Sequence, residues 1–419
     1  MEPKYLFEKI EARKEELFQL LSSLVQIDSQ NFATHGNEKE LAQYMHKLCL
    51  EMGLESAMYS PMELEGFADH PDYMPGHGLE DRYNVTAKWR GERDENALML
   101  MAHTDTVQFG DPANWSFSPT SGTIEDGRIY GRGAGDDKSG IAVMLFLTKL
   151  LKEAGFRPKK NLLLNAYCDE EYGGSHGALA AVLRDPCQRV ANLDAGEDVV
   201  VHCATGGGEM KYHFHAKDPV DSSKSVARAL STVMDVLDIF AENRRRELEA
   251  NRFYAGTIIP ETSMRYIGVK CGENGQDLGI GEIHFVFYTD KTKEEIYPEF
   301  QMLHEMLQER LAPLGMVSDG FYPTTRFFHY VFCEPDCQDI LDYLEAAELA
   351  TGSRPLVCGG GLGDQSVIAK YGTKNAFSVG PIRSFEKEGG AHQPNEFVEC
   401  DKLVEFTKVM AAYVLKVLQ

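Results

Sequence analysis

The sequence predicts an α/β protein in which a three-layer α/β domain is interrupted by an inserted α+β domain. Short apolar runs of strand length recur along the first half of the chain. These runs are 84–89, 97–102, 162–167, 190–193 and 199–203. A helix predicted over about 139–154 is apolar nearly all round, and such strands and helices are typical of a sheet covered on both faces. After Gly206–Gly208 the order of elements changes, and the first pattern returns towards the carboxyl terminus.

The amino-terminal segment contains two predicted helices and a loop. Apolar residues at helical spacing predict one helix over 6–25, and a second runs from about 38 to 52 and stops at Gly53. Residues 60–80 combine Pro, Gly, His and acidic residues, which predicts a long surface loop. We assign this segment to the first domain.

The middle segment arranges its elements in a different order. We expect a β-α-β-β-α-β succession, which is the split βαβ, or ferredoxin-like, signature. The predicted elements are strand 210–216, helix 220–243, strand 263–270, strand 281–289, helix 292–312 and strand 323–332.

The last segment resumes the character of the first domain. Its predicted elements are helix 336–350, the Gly-rich stretch 358–363, a strand near 375–379 and helix 401–418. The simplest account is one domain built from residues 1–208 and 333–419, interrupted by an inserted domain over 209–332.

The composition excludes several classes of function. The chain carries 42 Lys+Arg against 65 Asp+Glu, a formal net charge of −23. Such a surface repels phosphate backbones and anionic lipids, so we expect no nucleic-acid and no membrane partner. No apolar run is long enough to span a bilayer, and Met1–Tyr5 lacks the start of a secretory signal. The nine cysteines are scattered, which favours reduced thiols in the cytoplasm.

Residues that could carry chemistry follow several predicted strands. His103 and Asp105 come directly after strand 97–102, and ligands bind at the carboxyl ends of strands in α/β sheets. A His followed closely by a carboxylate can ligate a metal ion while the carboxylate fixes its tautomer. A surface-loop His is the alternative interpretation of this short pattern.

The Gly-rich segment 130–140 lies between a predicted strand and the apolar helix. It lacks the third Gly of a dinucleotide loop and the Gly that a phosphate loop places before its Lys. The adjacent Asp136 and Asp137 would also repel phosphate from the helix N-terminus. A carboxylate held at a turn for a cation fits this segment better, and an Asp that only caps the helix is the alternative.

An acidic triplet, Asp169-Glu170-Glu171, follows the apolar strand 162–167. Consecutive carboxylates at a strand end repel one another unless a cation or solvent relieves them. If the strand extended that far, Glu170 and Glu171 would point to opposite sides and could take different roles. A solvated turn is the alternative interpretation.

Two more candidates complete a metal site. Asp194 ends another apolar run, and His392 lies in a loop before the last helix. The full set of candidate ligands is His103, Asp136, Glu171, Asp194 and His392. Carboxylate and imidazole ligands without a thiolate suit Zn²⁺, Mn²⁺ or Co²⁺ in a hydrolytic site, and not a structural zinc.

At this point the sequence resembles a known superfamily of di-metal hydrolases, which contains aminoacylase, carboxypeptidase G, peptidase T and succinyl-diaminopimelate desuccinylase. The matching motifs are His103-Thr-Asp105, Gly131-Arg-Gly-Ala-Gly-Asp-Asp-Lys138, Asp169-Glu-Glu171 with Gly173-Gly174, and Ala391-His-Gln-Pro-Asn-Glu396. The resemblance covers essentially the whole chain. It implies a zinc-peptidase-like catalytic domain, with the inserted domain acting as a lid that often also dimerises.

The resemblance implies a role for each candidate ligand. Asp136 would bridge two divalent metal ions, with Zn²⁺ favoured and Co²⁺ or Mn²⁺ as alternatives. His103 and Asp194 would complete one metal position. Glu171 and His392 would complete the other.

The resemblance also implies two catalytic roles beside the ligands. Asp105 would orient the His103 ring without itself being a metal ligand. Glu170 would be the general base that takes a proton from the attacking water and hands it to the leaving amine. The Asp136–Asp137 peptide bond is expected to be cis.

One ligand position has an alternative. Glu197, which lies 26 residues after Glu171 against 23 for Asp194, could replace Asp194 as the third carboxylate ligand. Asp194 is favoured because it comes directly after the apolar run, where a strand end would aim it inward.

The inserted domain departs from the family pattern. Many dimeric members carry a lid His just after the first lid strand, but the corresponding stretch 218–225 has none. His213 and His215 lie slightly earlier, and we interpret them, like His176, as structural. The sequence therefore fixes neither the group that stabilises the oxyanion nor the oligomeric state.

Two details favour peptide hydrolysis over deacylation. Asp194, not Glu, fills the variable ligand position, and Asp136-Asp137-Lys138 resembles the dipeptidase members. We therefore predict a dipeptidase or short-peptide exopeptidase. The alternative is an N-acyl amino acid deacylase of the acetylornithine deacetylase or succinyl-diaminopimelate desuccinylase type. The expected partner is one such substrate, and the resemblance leaves a homodimer through the lid as an open alternative to a monomer.

Two other classes of function are disfavoured. A non-catalytic metal-binding relative would have lost Glu170 or several ligands, and all of them are present. A nucleotide-dependent enzyme would use the Gly-rich segments 131–135 or 359–363, and neither meets a phosphate-loop pattern.

Overall fold

The computed structural model of the protein describes residues 1–218, 222–271 and 279–419, which form two compact units. The first unit consists of Met1–His202, Phe332–Cys358 and Val367–Gln419. The second unit consists of Cys203–Val331 and Gly359–Ser366.

The described residues form ten helices and sixteen strands. The helices are α1 (Pro3–Ala12), α2 (Lys14–Val25), α3 (Lys39–Glu51), α4 (Lys138–Glu153), α5 (His176–Arg184), α6 (Ser222–Ala250), α7 (Lys293–Leu311), α8 (Gln338–Thr351), α9 (Gln365–Val367) and α10 (Cys400–Leu418). The strands are β1 (Glu55–Tyr59), β2 (Asn84–Trp89), β3 (Asn96–His103), β4 (Thr123–Glu125), β5 (Arg128–Tyr130), β6 (Asn161–Tyr167), β7 (Val190–Asn192), β8 (Val199–Ala204), β9 (Gly206–Ala216), β10 (Met264–Cys271), β11 (Ile280–Thr289), β12 (Met316–Pro323), β13 (Val331–Phe332), β14 (Leu356–Gly360), β15 (Ala376–Ser378) and β16 (Phe397–Glu399).

The first unit is built on a mixed sheet in the order β1-β2-β6-β3-β7-β15-β8-β13, with β14 beside β8. β3 pairs in parallel with β6 and β7, whereas β2 pairs antiparallel with β6. All of β6, nearly all of β3 and most of α4 are buried. Both faces of the central strands are therefore covered, which confirms the predicted three-layer α/β arrangement.

Three neighbouring parallel strands end at the same edge of this sheet. His103 is the last residue of β3 and pairs with Tyr167, the last residue of β6. Asn192 ends β7 and pairs with Met101 of β3. The segments that follow these strands carry most of the candidate ligands, so the fold delivers those residues to one edge.

The second unit contains an antiparallel sheet in the order β10-β11-β9-β12. Its elements follow one another as β9, α6, β10, β11, α7 and β12, which confirms the predicted β-α-β-β-α-β succession. The strands and the two helices share one apolar core. Phenylalanines from both kinds of element contribute to it, namely Phe214, Phe240, Phe285, Phe287 and Phe300.

The last strand of this unit lies earlier than the sequence predicts. The strand is Met316–Pro323, so the prediction of 323–332 is wrong. Gly315 has a left-handed φ of 71° and ends the preceding turn, and Pro323, which has no N–H to donate, is the last strand residue. The start of the helix predicted at 220 lies outside the described residues.

The segment 60–80 is not the simple surface loop that its composition predicts. It contains two single-turn 3-10 helices, Pro61–Glu63 and Phe67–Asp69. It also buries several side chains, namely Phe67, Asp72, His77 and Leu79. Pro and Gly predict turns, but they do not predict whether the residues between the turns are buried.

The segment Gly359–Ser366 belongs to the second unit, so the prediction that it lies in the first domain is wrong. The hydroxyl of Tyr254 donates to the carbonyl of Gly360, and a Cβ at Gly359 would lie 2.5 Å from the Tyr254 ring. The close approach that glycine allows therefore ties this segment to the second unit. Among the described residues, no helix is long and apolar enough to cross a membrane.

Candidate metal centre

Four of the five predicted ligands contact one another in the first unit. His103 Nε2 lies 2.8 Å from Asp136 Oδ1, and His392 Nε2 lies 3.3 Å from Asp136 Oδ2. His392 Nε2 also lies 2.8 Å from Glu171 Oε2. His103, Asp136 and Glu171 place one ligand atom each within 4.8 Å of one another. The sequence-distant motifs therefore meet at one point.

Asp136 is the centre of this group. Its two carboxylate oxygens face different histidines, Oδ1 towards His103 and Oδ2 towards His392. The Nδ1 atom of His103 lies 2.9 Å from the carbonyl oxygen of Asp105 and donates to it, which leaves Nε2 to face the carboxylate. A carboxylate with one oxygen towards each of two nitrogen ligands is the arrangement that a bridging ligand requires.

The orienting bond to His103 differs from the one that the resemblance implies. It comes from the main-chain carbonyl of Asp105, while the Asp105 carboxylate lies 3.8 Å from His103 Nδ1. The carboxylate accepts hydrogen bonds from the main-chain N–H groups of Glu170 and Glu171 instead. Asp105 thus links the metal-ligand strand to the acidic triplet.

The charges of the group balance one another. Burial lowers the pKa of His103, but the hydrogen bond and charge of Asp136 raise it well above its usual value. Burial likewise lowers the pKa of His392, but the Glu171 charge and the bonds to both carboxylates raise it to about 11. Burial and the Asp136 charge raise the pKa of Glu171. These carboxylates therefore demand nearby positive charge, which protonated histidines supply here and divalent cations would supply in their place.

Asp194 and Glu170 lie close enough to this group for their charges to act on it. The charges of both raise the pKa of His103. Glu197 has different neighbours: apart from burial, its pKa responds to Lys387, Glu399, Lys402 and Arg383. This difference favours Asp194 over Glu197 as the third carboxylate.

Two residues that the sequence analysis did not single out hold the loops of the site together. Arg132 forms a buried ion pair with Glu396, at 2.7 Å, and donates to the carbonyl of His392. Glu396 Oε1 accepts the N–H groups of Gly135 and Asp136. The pair fixes the main chain on both sides of Asp136 and His392. Both residues lie inside the matched motifs, which was the available signal.

The peptide bond between Asp136 and Asp137 is cis, as expected from the resemblance. The Asp137 carboxylate accepts the N–H of Gly140 and caps α4, and it also accepts the N–H of His103. The helix-cap interpretation therefore applies to Asp137 and not to Asp136.

Comparison with known proteins identifies the family. The family model described as peptidase family M20/M25/M40 matches residues 99–416. The chain belongs to this family. The motifs and the order of elements agree with that membership.

Individual relatives match over shorter stretches. An uncharacterized metallohydrolase of Methanocaldococcus jannaschii is 37% identical over 164 residues, which are 39% of this chain and 38% of the relative. A succinyl-diaminopimelate desuccinylase of Wigglesworthia glossinidia brevipalpis is 36% identical over 196 residues, 43% and 50% of the two chains. The chain thus matches half or less of the length of these curated relatives.

Solved structures show the same fold. The dipeptidase Dug1p of Saccharomyces cerevisiae superposes with a TM-score of 0.76 at 14% identity, over 99% of this chain and 98% of that one. At this identity the likeness concerns the fold alone.

A second cluster in the first unit also has the composition of a metal site. His77, Asp169 and His176 are buried, and their ligand atoms lie within 4.8 Å of one another. However, His176 Nε2 accepts the N–H of Met74, so its Nδ1 carries the proton that it donates to Asp169. A metal ion on Nδ1 would place the proton on Nε2, against the N–H of Met74. The three residues therefore form a hydrogen-bond network. Together with Arg82, which lies 2.8 Å from Asp169, they make up the Asp169 cluster.

Three buried carboxylates surround Arg82 in and beside this cluster. Arg82 contacts Glu38, lies 2.8 Å from Asp169 and lies 3.9 Å from Asp105. Asp169 also accepts from the histidines, and Asp105 accepts main-chain N–H groups, whereas Glu38 has fewer donors. Burial raises the pKa of Glu38 to about 8, although the Arg82 charge opposes the shift. This raised pKa predicts that Glu38 is protonated at neutral pH.

This assignment predicts a pH-dependent contribution to stability. Between pH 4.5 and about 8, Glu38 is protonated when folded and ionised when unfolded, so its contribution to the free energy of unfolding falls as the pH rises. Glu38→Gln does not titrate. We expect the variant to gain stability relative to the wild type with rising pH, by at most about 1.4 kcal/mol per pH unit.

Denaturant unfolding at pH 5, 6, 7 and 8 measures this difference. Glu40→Gln is the matched control, since Glu40 is exposed in the first turn of α3, which Glu38 directly precedes, and its difference from the wild type should stay constant. A constant difference for Glu38→Gln as well would contradict the assignment.

The two histidines on the first strand of the second unit have partners within that unit. His213 Nε2 lies 2.9 Å from Glu282, and His215 Nδ1 lies 2.9 Å from Asp319. Both carboxylates belong to neighbouring strands of the sheet. These cross-strand pairs agree with the structural interpretation of the two residues.

Proposed function

We propose that the protein is a di-metal amide hydrolase that cleaves dipeptides or short peptides. The observation that carries the proposal is Asp136, whose two oxygens face His103 and His392 separately while Glu171 contacts the second histidine. A carboxylate set with imidazoles and without thiolates suits Zn²⁺, with Co²⁺ and Mn²⁺ as alternatives.

The proposed ligands divide into two groups that share Asp136. His103 and Asp194 would hold one ion, and Glu171 and His392 would hold the other. Two divalent ions in these positions would supply the charge that polarises a scissile carbonyl and acidifies the attacking water. The residues fit this task because the group already compensates the carboxylates with positive charge on the histidines.

Glu170 is proposed as the general base. Two observations support this role: its N–H donates to the Asp105 carboxylate, and its charge raises the pKa of the proposed ligand His103. The Glu170 carboxylate would take a proton from the attacking water. It would then return that proton to the nitrogen of the leaving amine, which cannot depart as an anion at neutral pH.

Peptides are proposed as the substrates on two grounds. Asp194 and the Asp136-Asp137-Lys138 sequence resemble the peptidase members of the family. The chain also shares its fold with a solved dipeptidase. The second candidate is an N-acyl amino acid deacylase, favoured by the similarity of part of the chain to a succinyl-diaminopimelate desuccinylase.

A substrate panel distinguishes the two candidates. We expect the metal-loaded protein to hydrolyse its best dipeptide with kcat/KM at least about tenfold above that for acetylornithine or succinyl-diaminopimelate, because specificity follows differential transition-state binding. Initial rates measured by amine release on all substrates at one metal concentration supply the values. The opposite order would establish the deacylase.

The second unit is proposed to act as the lid and as the surface for a homodimer, and the protein is proposed to work in the cytoplasm. The proposal of a lid and dimer surface rests on the split βαβ order of the second unit and its place as an insertion. The proposal of a cytoplasmic protein rests on the nine cysteines, none of which forms a disulfide in the described part of the chain. Sedimentation equilibrium would measure the assembly.

A further inference from the structure

Asp169 directly precedes the proposed general base and is fully buried. Its Oδ1 lies 2.8 Å from Arg82 Nη1 and 3.1 Å from His77 Nδ1. Its Oδ2 accepts from His176 Nδ1 at 2.5 Å. The cluster therefore contains a carboxylate with several polar partners and no exposed surface.

The backbone of Asp169 explains why so many donors are needed. Its φ is +64°, in the left-handed region that a residue with a Cβ rarely adopts. Such a conformation persists only where surrounding contacts over-determine it. The carbonyl of Asp169 also accepts the N–H of Ser175, which closes the loop that contains Glu170 and Glu171.

Asn31 links the carboxylate of Asp169 to that of Asp105, on the opposite side of the acidic triplet. Its Nδ2 donates to Asp169 Oδ1 at 3.3 Å and to Asp105 Oδ2 at 2.8 Å. Asp105 in turn accepts the N–H groups of Glu170 and Glu171. Two buried carboxylates, those of Asp105 and Asp169, therefore hold the main chain of the triplet. Both accept hydrogen bonds from the side-chain amide of Asn31.

His176 links Asp169 to the segment 60–80. Its Nδ1 donates to Asp169, and its Nε2 accepts the N–H of Met74. The rings of Phe67 and Tyr73, in the same segment, pack against it at 6.0 and 4.9 Å. Because both ring nitrogens of His176 are used in this way, a displacement of the segment 60–80 would also displace the Asp169 carboxylate.

We propose that His176, through Asp169, is a positioning residue that sets the main chain of Glu170 and Glu171. The inference rests on the proposed function, since it assigns what holds the general base and one ligand in place. The segment 60–80 then serves as the outer support of the active site. A displacement of about 1 Å at a reacting group can cost about 100-fold in rate, so a loss of this support is measurable.

The test compares His176→Phe with His176→Asn. Phe keeps the ring volume and removes the donor to Asp169, whereas the Asn amide restores a donor close to the Nδ1 position. His46→Phe is the matched control, because His46 bonds Ser56 at 2.8 Å elsewhere in the first unit. Two properties are measured: hydrogen–deuterium exchange of a peptide covering 168–175, and kcat separately from KM in the metal-loaded protein.

We expect His176→Phe to raise exchange at 168–175 and to lower kcat by about 10- to 100-fold, with KM within about twofold of the wild type. His176→Asn should recover most of both, and His46→Phe should change neither. If His176→Phe does not fold, His77→Phe, which removes only one donor, should give a smaller change in the same direction. The inference is overturned if either Phe variant loses thermal stability while exchange at 168–175 and kcat stay at wild-type values.

The exchange measurement separates this inference from the proposed function. It needs no substrate, so a wild-type protein that hydrolyses no amide would defeat the proposed function while exchange still decides the role of His176. Competition for Co²⁺ gives a second substrate-free measurement. We expect His176→Phe to bind Co²⁺ more weakly because Glu171 is a proposed ligand, and unchanged exchange with unchanged Co²⁺ affinity would defeat the inference alone.

Discussion

Glu170→Gln is expected to bind as much metal as the wild type and to lose at least about two orders of magnitude in kcat. The amide keeps the size of the side chain but cannot take a proton from water at neutral pH. Glu170 is not among the proposed ligands, and its N–H bonds to Asp105 do not depend on its side chain. Metal analysis of the dialysed protein and steady-state kinetics on one dipeptide give both values.

Two controls sharpen this prediction. Glu125→Gln, on the exposed strand β4, should leave metal content and kcat unchanged. Glu170→Asp keeps a carboxylate at a greater distance and should recover part of the lost rate. If Glu170→Gln retains wild-type turnover, another group is the base, and if it loses metal, Glu170 is a ligand.

The fold and the meeting of the motifs were predictable because both depend on local patterns. Strongly apolar strands and an apolar helix predict a covered sheet, and parallel strands of one sheet end at one edge. His103 is the last residue of β3, and Asp194 lies two residues after the end of β7. The sequence could therefore place them on the same side before any contact was known.

The supports of the site were not predictable from the same patterns. Arg82 lies far from Asp169 in sequence, and Arg132 lies far from Glu396, yet each pair is in contact and buried. A charged residue with no apolar periodicity around it predicts a solvated surface, and only the tertiary fold shows that a partner reaches it. The sequence likewise predicts only an ordinary structural or surface role for His176.

The error in the last strand of the second unit has a similar cause. The apolar residues of 323–332 resemble a strand, whereas Met316–Pro323 alternates buried and exposed residues and contains Ser, Asp and Gly. Alternation on a half-exposed strand is a weaker signal than a continuous apolar run. The sheet partner β9, which is remote in sequence, decides the register.

The stoichiometry of metal binding should fall in steps when single ligands are removed. We expect about two ions per chain in the wild type, about one in His392→Ala and about none in Asp136→Ala, because Asp136 alone faces both histidines. Chelation of the wild type should abolish hydrolysis, and Zn²⁺ or Co²⁺ should restore it. Only Asp136→Ala should fail to regain activity at high metal concentration.

Mass spectrometry of inorganic ions after equilibrium dialysis measures these ratios, and circular dichroism checks that each variant is folded. Asp401→Asn is the matched control, since Asp401 is exposed in the first turn of α10 and should keep both ions. The bridging role of Asp136 is refuted if Asp136→Ala and His392→Ala each lose one ion. Equal losses would mean that the two oxygens of Asp136 serve a single ion, because a ligand shared by two sites must weaken both when it is removed.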